Sequence, residues 1–209
     1  MSACDHCHDA PAPDTARYRK VLWWVLAINA AMAVVEIVSG LEAGSLALQA
    51  DALDFMGDAA NYGISLFVLS RAIRWRASAA LLKGAAMALF GVWLLGMALW
   101  KAMHPELPGA GVMGVVGALA LIANLVGAAL LYRFREGDAN RRSVWLCTRN
   151  DAIGNLAVLA AAAGVAASAT PWPDLAVGAI MAALALSSAW QVLRRATAEL
   201  APQSTFSPS

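Results

Sequence analysis

The 209-residue chain is 60% hydrophobic and 14% charged, with a mean hydropathy of +0.61. An ordinary soluble domain carries about 25% charged residues, so this balance excludes one, and a formal net charge of +1 gives no reason to expect a nucleic-acid partner. Three cysteines, two of them close together at the N-terminus, exclude a disulfide framework.

Residues 1–19 are polar and lack the basic-then-apolar order of a signal peptide, so the first apolar run is expected to act as the membrane signal itself. This tail contains CDHCH, which matches the Cys-x-x-Cys-His pattern of c-type haem attachment. Haem is attached outside the cytoplasm, whereas the charge pattern below places the tail inside, so haem is rejected. Cys4, His6, Cys7 and His8 remain as possible soft-metal ligands on a flexible cytoplasmic tail, or as incidental residues of an unstructured one.

Six apolar segments follow, at about residues 20–40, 45–70, 79–102, 110–133, 143–169 and 174–193. Roughly 20 residues at about 1.5 Å each cross about 30 Å of hydrocarbon. The fold expected is an all-α integral membrane protein with six transmembrane helices. They form one transport domain over residues 20–195, followed by a disordered tail over 196–209. Gly40 and Gly44, the run from His104 to Gly109, and Pro171-Trp172-Pro173 punctuate the joins. Thirteen basic residues flank one set of ends: Arg17, Arg19 and Lys20; Arg71, Arg74, Arg76 and Lys83; Arg133, Arg135, Arg141 and Arg142; Arg194 and Arg195. The opposite joins hold only Lys101, so both termini are expected in the cytoplasm. Ala- and Gly-rich stretches such as GVVGALALIANLVGAALL suit close packing in lipid, and Trp23, Trp24, Trp100, Trp172 and Trp190 fall where an interfacial belt would lie.

The second segment is the unusual one. ALQADALDFMGDAANYGISLFVL carries Asp51, Asp54 and Asp58, and each aspartate at the centre of a membrane helix costs roughly 2.5–3.5 kcal/mol. At about 100° per residue the three share an arc of about 60°, with Asn61 at the edge of the stripe. A bound cation, exchangeable for protons, would compensate them. Salt bridges or caps within the bundle are the alternative, but Arg149 reads as the only basic residue deep in a span. Asp54 and Asp58 stand one helical turn apart. In the fifth segment, SVWLCTRNDAIGNLAVL, Cys147 and Asp151 do the same, with Asn150 and Asn155 nearby. Two such pairs make a four-ligand set, the number that zinc takes in a tetrahedral shell. Cys147 could equally be an apolar filler. Asn29 and Glu36 share a face of the first segment, and Asn124 sits in the fourth. Glu36 reads as a proton carrier, a neighbour supporting the ligands, or an interhelical hydrogen-bonding group, and Asn29 and Asn124 as packing residues. Asp174, after Pro173, reads as a helix N-terminal residue or a transport residue.

The six-segment layout, GSLALQADALDFMGD and CTRNDAIGNLAVL resemble the cation diffusion facilitators, or cation efflux family, over about residues 20–195. The resemblance implies an inner-membrane, multi-pass, homodimeric exporter driven by inward proton flow, and not an enzyme. Its substrate would be a divalent metal, zinc or cadmium favoured and cobalt or iron allowed, with no tightly bound cofactor. The ligands would be Asp54, Asp58, Cys147 and Asp151. Asp51, Glu36, Asn150 and Asn155 would support them or relay protons. Cys147 departs from the family's usual histidine or aspartate, which leans the metal toward thiophilic ions. The chain is expected to be a short member lacking the C-terminal cytoplasmic domain, so a dimer would rest on the membrane helices. A non-transporting metal sensor or accessory subunit is the alternative. A metalloenzyme is disfavoured, because no HExxH and no histidine lies within a span.

Overall fold

A computed structural model describes residues 13–68, 73–134 and 139–200. Side chains at 13–15, 67–68, 73–77, 139–147, 149–150, 195 and 198–200 fall outside that description. The described residues form six helices: α1 (Pro13–Glu42), α2 (Leu46–Val68), α3 (Ile73–Met103), α4 (Ala110–Tyr132), α5 (Ala139–Ser168) and α6 (Trp172–Leu200). Ala and Leu dominate their interiors, and proline is confined to first turns and joins, where a missing N–H is harmless. Four helices overrun the expected boundaries, α3 starting at Ile73 and α5 at Ala139. α1 begins at Pro13 and α6 continues to Leu200, because RYRK and RRATAEL are good helix formers that need no membrane around them.

Five helices contain a span long and apolar enough to cross a membrane: Ala16–Glu42, Ser78–Met103, Ala110–Tyr132, Asp151–Ser168 and Trp172–Arg194. Their outward faces carry Leu82, Leu89, Val115, Ile122, Ile153 and Leu184, all exposed, together with Trp24, Trp100, Trp172 and Trp190. This is a multi-pass membrane protein. α2 does not meet the same description, because its three aspartates crowd into its first half.

Packing resolves that exception. α2 touches each of the other five helices, whereas α1 touches only α2 and α4, and α3 only α2 and α6. The helix that carries Asp51, Asp54 and Asp58 is thus the one with the most helix neighbours. α3 runs antiparallel to α6, and α4 to α5: Gly84 and Gly91 of α3 lie against Leu193 and Leu186 of α6, and Gly117 and Gly127 of α4 against Val158 and Thr148 of α5.

The start of α2 is docked on α6. Ser45 caps the helix, its Oγ accepting from Leu48 N at 3.1 Å. Asp174, in the first turn of α6, accepts from the Ser45 hydroxyl at 2.6 Å, from Leu46 N at 2.8 Å and from Ala47 N at 3.0 Å. A carboxylate on one helix therefore completes the cap of another, opposite its positive dipole end. One turn along, Gly178 makes the approach possible: a Cβ there would stand 2.7 Å from Leu46 Cγ and 2.9 Å from Ala47 N. Gly44, at φ +64°, turns the chain from α1 into this cap, and its carbonyl accepts from Lys101 Nζ at 3.0 Å. Of the two sequence readings of Asp174, the hydrogen bonds bear out a helix-terminal one, although the helix it caps is α2 rather than its own.

Asp174→Ala strands two backbone N–H groups and a hydroxyl in a buried place. The loss of stability should be about 3 kcal/mol, read as a fall in the thermal unfolding midpoint in detergent micelles. Asp174→Asn, which keeps one carbonyl acceptor, should lose less. An unchanged midpoint for Asp174→Ala would remove the cap from this account.

Candidate metal centre

Asp51, Asp54 and Asp58 line the side of α2 that faces its neighbours. Asp51 is buried, and Asp54 and Asp58 are partly so. Asp58 lies against Asp151 of α5, carboxyl to carboxyl, within hydrogen-bonding reach. Asp54 is within electrostatic reach of Asp51, Asp58 and Asp151. Glu36, wholly buried on α1, faces Asp51. Among the described residues, no donor reaches either oxygen of Glu36, Asp51 Oδ2 or Asp151 Oδ2, and both amide atoms of buried Asn155 are also without a partner.

One oxygen of the group is oriented by protein. Tyr62, one turn after Asp58, donates from its hydroxyl to Asp58 Oδ2 at 3.1 Å. The same hydroxyl lies 2.7 Å from Thr148 Oγ1 on α5. With the tyrosine proton directed at Asp58, Thr148 is the donor to Tyr62, so the chain runs from Thr148 through Tyr62 to Asp58. On the far side, Lys83 of α3 donates from Nζ to Asn61 Oδ1. A cavity of about 370 Å³ opens between α5 and α6. Asp54 and Asp151 form its polar end, and Ile153, Ala157, Ile180 and Leu184 belong to its apolar walls. Among the described residues, no three of His, Cys, Asp and Glu stand close enough together to hold a metal ion.

The transmembrane domain of the cation efflux family matches residues 22–201. The chain belongs to the cation efflux family. It is a family of transporters, not of enzymes. Among similar proteins, the metal cation efflux system protein CzcD of Cupriavidus metallidurans is 26% identical over 90% of this chain and 62% of its own length. The zinc transporter ZitB of Pectobacterium atrosepticum is 30% identical over 83% of this chain and 58% of its own. A cadmium, cobalt and zinc/H(+)-K(+) antiporter of Bacillus velezensis is 23% identical over 77% of this chain and 56% of its own. The chain thus spans about three-fifths of the length of these relatives.

In this cation efflux protein the helix packing brings together Asp54, Asp58 and Asp151, with Asp51 and Glu36 paired beside them. Asn155 is buried one turn from Asp151. Cys147 and Asn150 lie on α5, but their side chains are outside those described, as is that of Arg149. Cys4, His6, Cys7 and His8 precede the first described residue. Asn29 is buried, its amide donating to Val25 O of the same helix at 2.8 Å. Three residues of the site escaped the sequence reading. Tyr62 was detectable, one turn from Asp58. Thr148 was not, since a threonine in a membrane helix carries no signal of its own. Lys83 was counted among the flanking charges, and it stands in the second turn of the Ser78–Met103 span, whereas Arg149 precedes the Asp151–Ser168 span.

Tyr62→Phe removes the hydroxyl that holds Asp58 and leaves the helix contact otherwise intact. Metal affinity measured by titration calorimetry should weaken about tenfold, the usual scale for a group that orients a ligand. Thr148→Val should weaken it in the same direction by less.

Proposed function

We propose that this protein exports a divalent transition metal, zinc or cadmium before cobalt or iron, from the cytoplasm in exchange for protons. The observation that carries the proposal is the contact of Asp58 with Asp151 across the α2–α5 packing, with Asp54 in reach. Two carboxyls pressed together gain most from a shared cation, and the relatives include a zinc transporter and a cadmium, cobalt and zinc antiporter. Asp54, Asp58, Asp151 and Cys147 are the ligands in this reading. The thiolate of Cys147 would close a four-coordinate shell and favour a thiophilic ion. Asp51 with Glu36, and Asn150 with Asn155, support the ligands or pass protons. The tail residues Cys4, His6, Cys7 and His8 would capture metal near the entrance.

All six helices cross the inner membrane in this proposal, α2 shielded by the other five, with both termini in the cytoplasm, where the basic residues gather. Ligands must lose their protons to bind metal, so metal and protons compete for the same atoms. When the site faces the cytoplasm, metal displaces protons. When it faces outward, protons displace metal. Helices rocking about a fixed site supply the alternation. A homodimer held through membrane helices is the expected assembly, and the apolar outer faces offer ample surface for it.

Purified protein in liposomes, with zinc on one side and a pH gradient across the membrane, tests the proposal. Zinc flux should follow the gradient and reverse with it, and Asp58→Ala and Asp151→Ala should each lower it by about a hundredfold or more. Variants that transport as fast as the wild type would refute the site. Across a panel of divalent ions, Cys147→Ser should weaken cadmium more than zinc, and cobalt least.

A further inference from the structure

Lys83 stands in the second turn of the apolar span Ser78–Met103, where a charged side chain is costly unless it has work to do. Its stem runs beside Gly57, at which a Cβ would be 4.0 Å from Lys83 Cε. Its ammonium donates to Asn61 Oδ1. Asn61 is three residues beyond Asp58 on α2, so the ammonium is held beside the turn that carries Asp58 and acts on that carboxylate electrostatically. With Asp54, Asp58, Asp151 and Cys147 all ionised the proposed ligands sum to four negative charges, and a charged Lys83 offsets one of them.

We propose that Lys83 is a positioning residue of the metal centre: its positive charge beside Asp58 offsets part of the negative charge of the ligands and loosens their hold on the ion enough for release. The proposal rests on the metal-centre reading above. A lysine that merely tied α3 to α2 would need only a donor for Asn61. A lysine that tunes the site needs the charge, which an arginine keeps and a glutamine or methionine does not.

The test is zinc affinity by titration calorimetry at low and high salt, with zinc flux in liposomes, for Lys83→Met, Lys83→Gln and Lys83→Arg. Loss of the charge should tighten zinc binding about tenfold at low salt, and less at high salt as screening grows. The half-saturating zinc concentration for transport and the maximal rate should both fall, because release becomes slower. Lys83→Arg should restore the wild-type values. Lys83→Gln still offers Asn61 a donor, so its tightening separates charge from helix contact even where Lys83→Met folds poorly. Zinc affinity within about twofold of wild type in the neutral variants, or weaker binding, overturns the proposal. Asp58→Asn run alongside separates the two readings. If it keeps wild-type affinity, the metal centre itself fails and the role of Lys83 falls with it. If it loses zinc while the neutral Lys83 variants are unchanged, only the role of Lys83 fails.

Discussion

Asp58 on α2 and Asp151 on α5 lie carboxyl against carboxyl inside a helical bundle, and that contact sets terms for every neighbouring element. Two unit charges about 4 Å apart repel by about 4 kcal/mol at an effective dielectric of about 20. Asp54 adds to the repulsion, and Asp51 with Glu36 forms a further carboxyl pair nearby. A helix loaded in this way cannot face lipid. It can face other helices, and α2 faces all five of them. The arrangement of α1, α3, α4, α5 and α6 around α2 is therefore the packing consequence of where the aspartates fall in the sequence.

A central helix must also be held in register, since a slip of one residue would turn its carboxylates by about 100°. The docking of Leu46 and Ala47 on Asp174 and Gly178 fixes one end. Tyr62 with Thr148 and Asn61 with Lys83 fix the other, about four turns along, against α5 and α3 respectively. The acidic turns lie between these two anchors. Their geometry follows from contacts on three different helices rather than from any local preference of the DALDFMGD sequence.

The helical bundle was legible in the sequence because its cause is local: apolar runs of membrane-spanning length, separated by glycine and proline, admit few other folds. The carboxylate stripe of α2 was legible for the same reason, since helical spacing alone puts Asp51, Asp54 and Asp58 on one side. That Asp151 meets Asp58 was readable only as a match of spacings, four residues on each helix. The pairing of Glu36 with Asp51, and the chain from Thr148 to Asp58, depend on how α1 and α5 rotate about their axes. No periodicity in the sequence fixes that rotation. Lys83 was legible only as a flanking charge, because a lysine near a helix end satisfies that rule, and only the packing of α3 on α2 shows that it bonds Asn61.

Buried carboxylates in one molecule differ in what protein offers them, and that difference separates structure from function here. Asp174 is buried and receives three hydrogen bonds, two from backbone N–H groups that need it in turn. It has no capacity to spare, and a cation would have to break a helix cap to use it. Among the described residues, Glu36, Asp51 Oδ2 and Asp151 Oδ2 receive no hydrogen bond, and Asp58 Oδ2 receives one from Tyr62. Groups left this way are costly to bury, and the fold sets them beside one another rather than against backbone donors. For the proposed exchange site that would be a requirement: a carboxylate already satisfied by amides and hydroxyls would have nothing to gain from a metal or from the proton that replaces it. On that proposal the single bond from Tyr62 would aim Asp58 without saturating it.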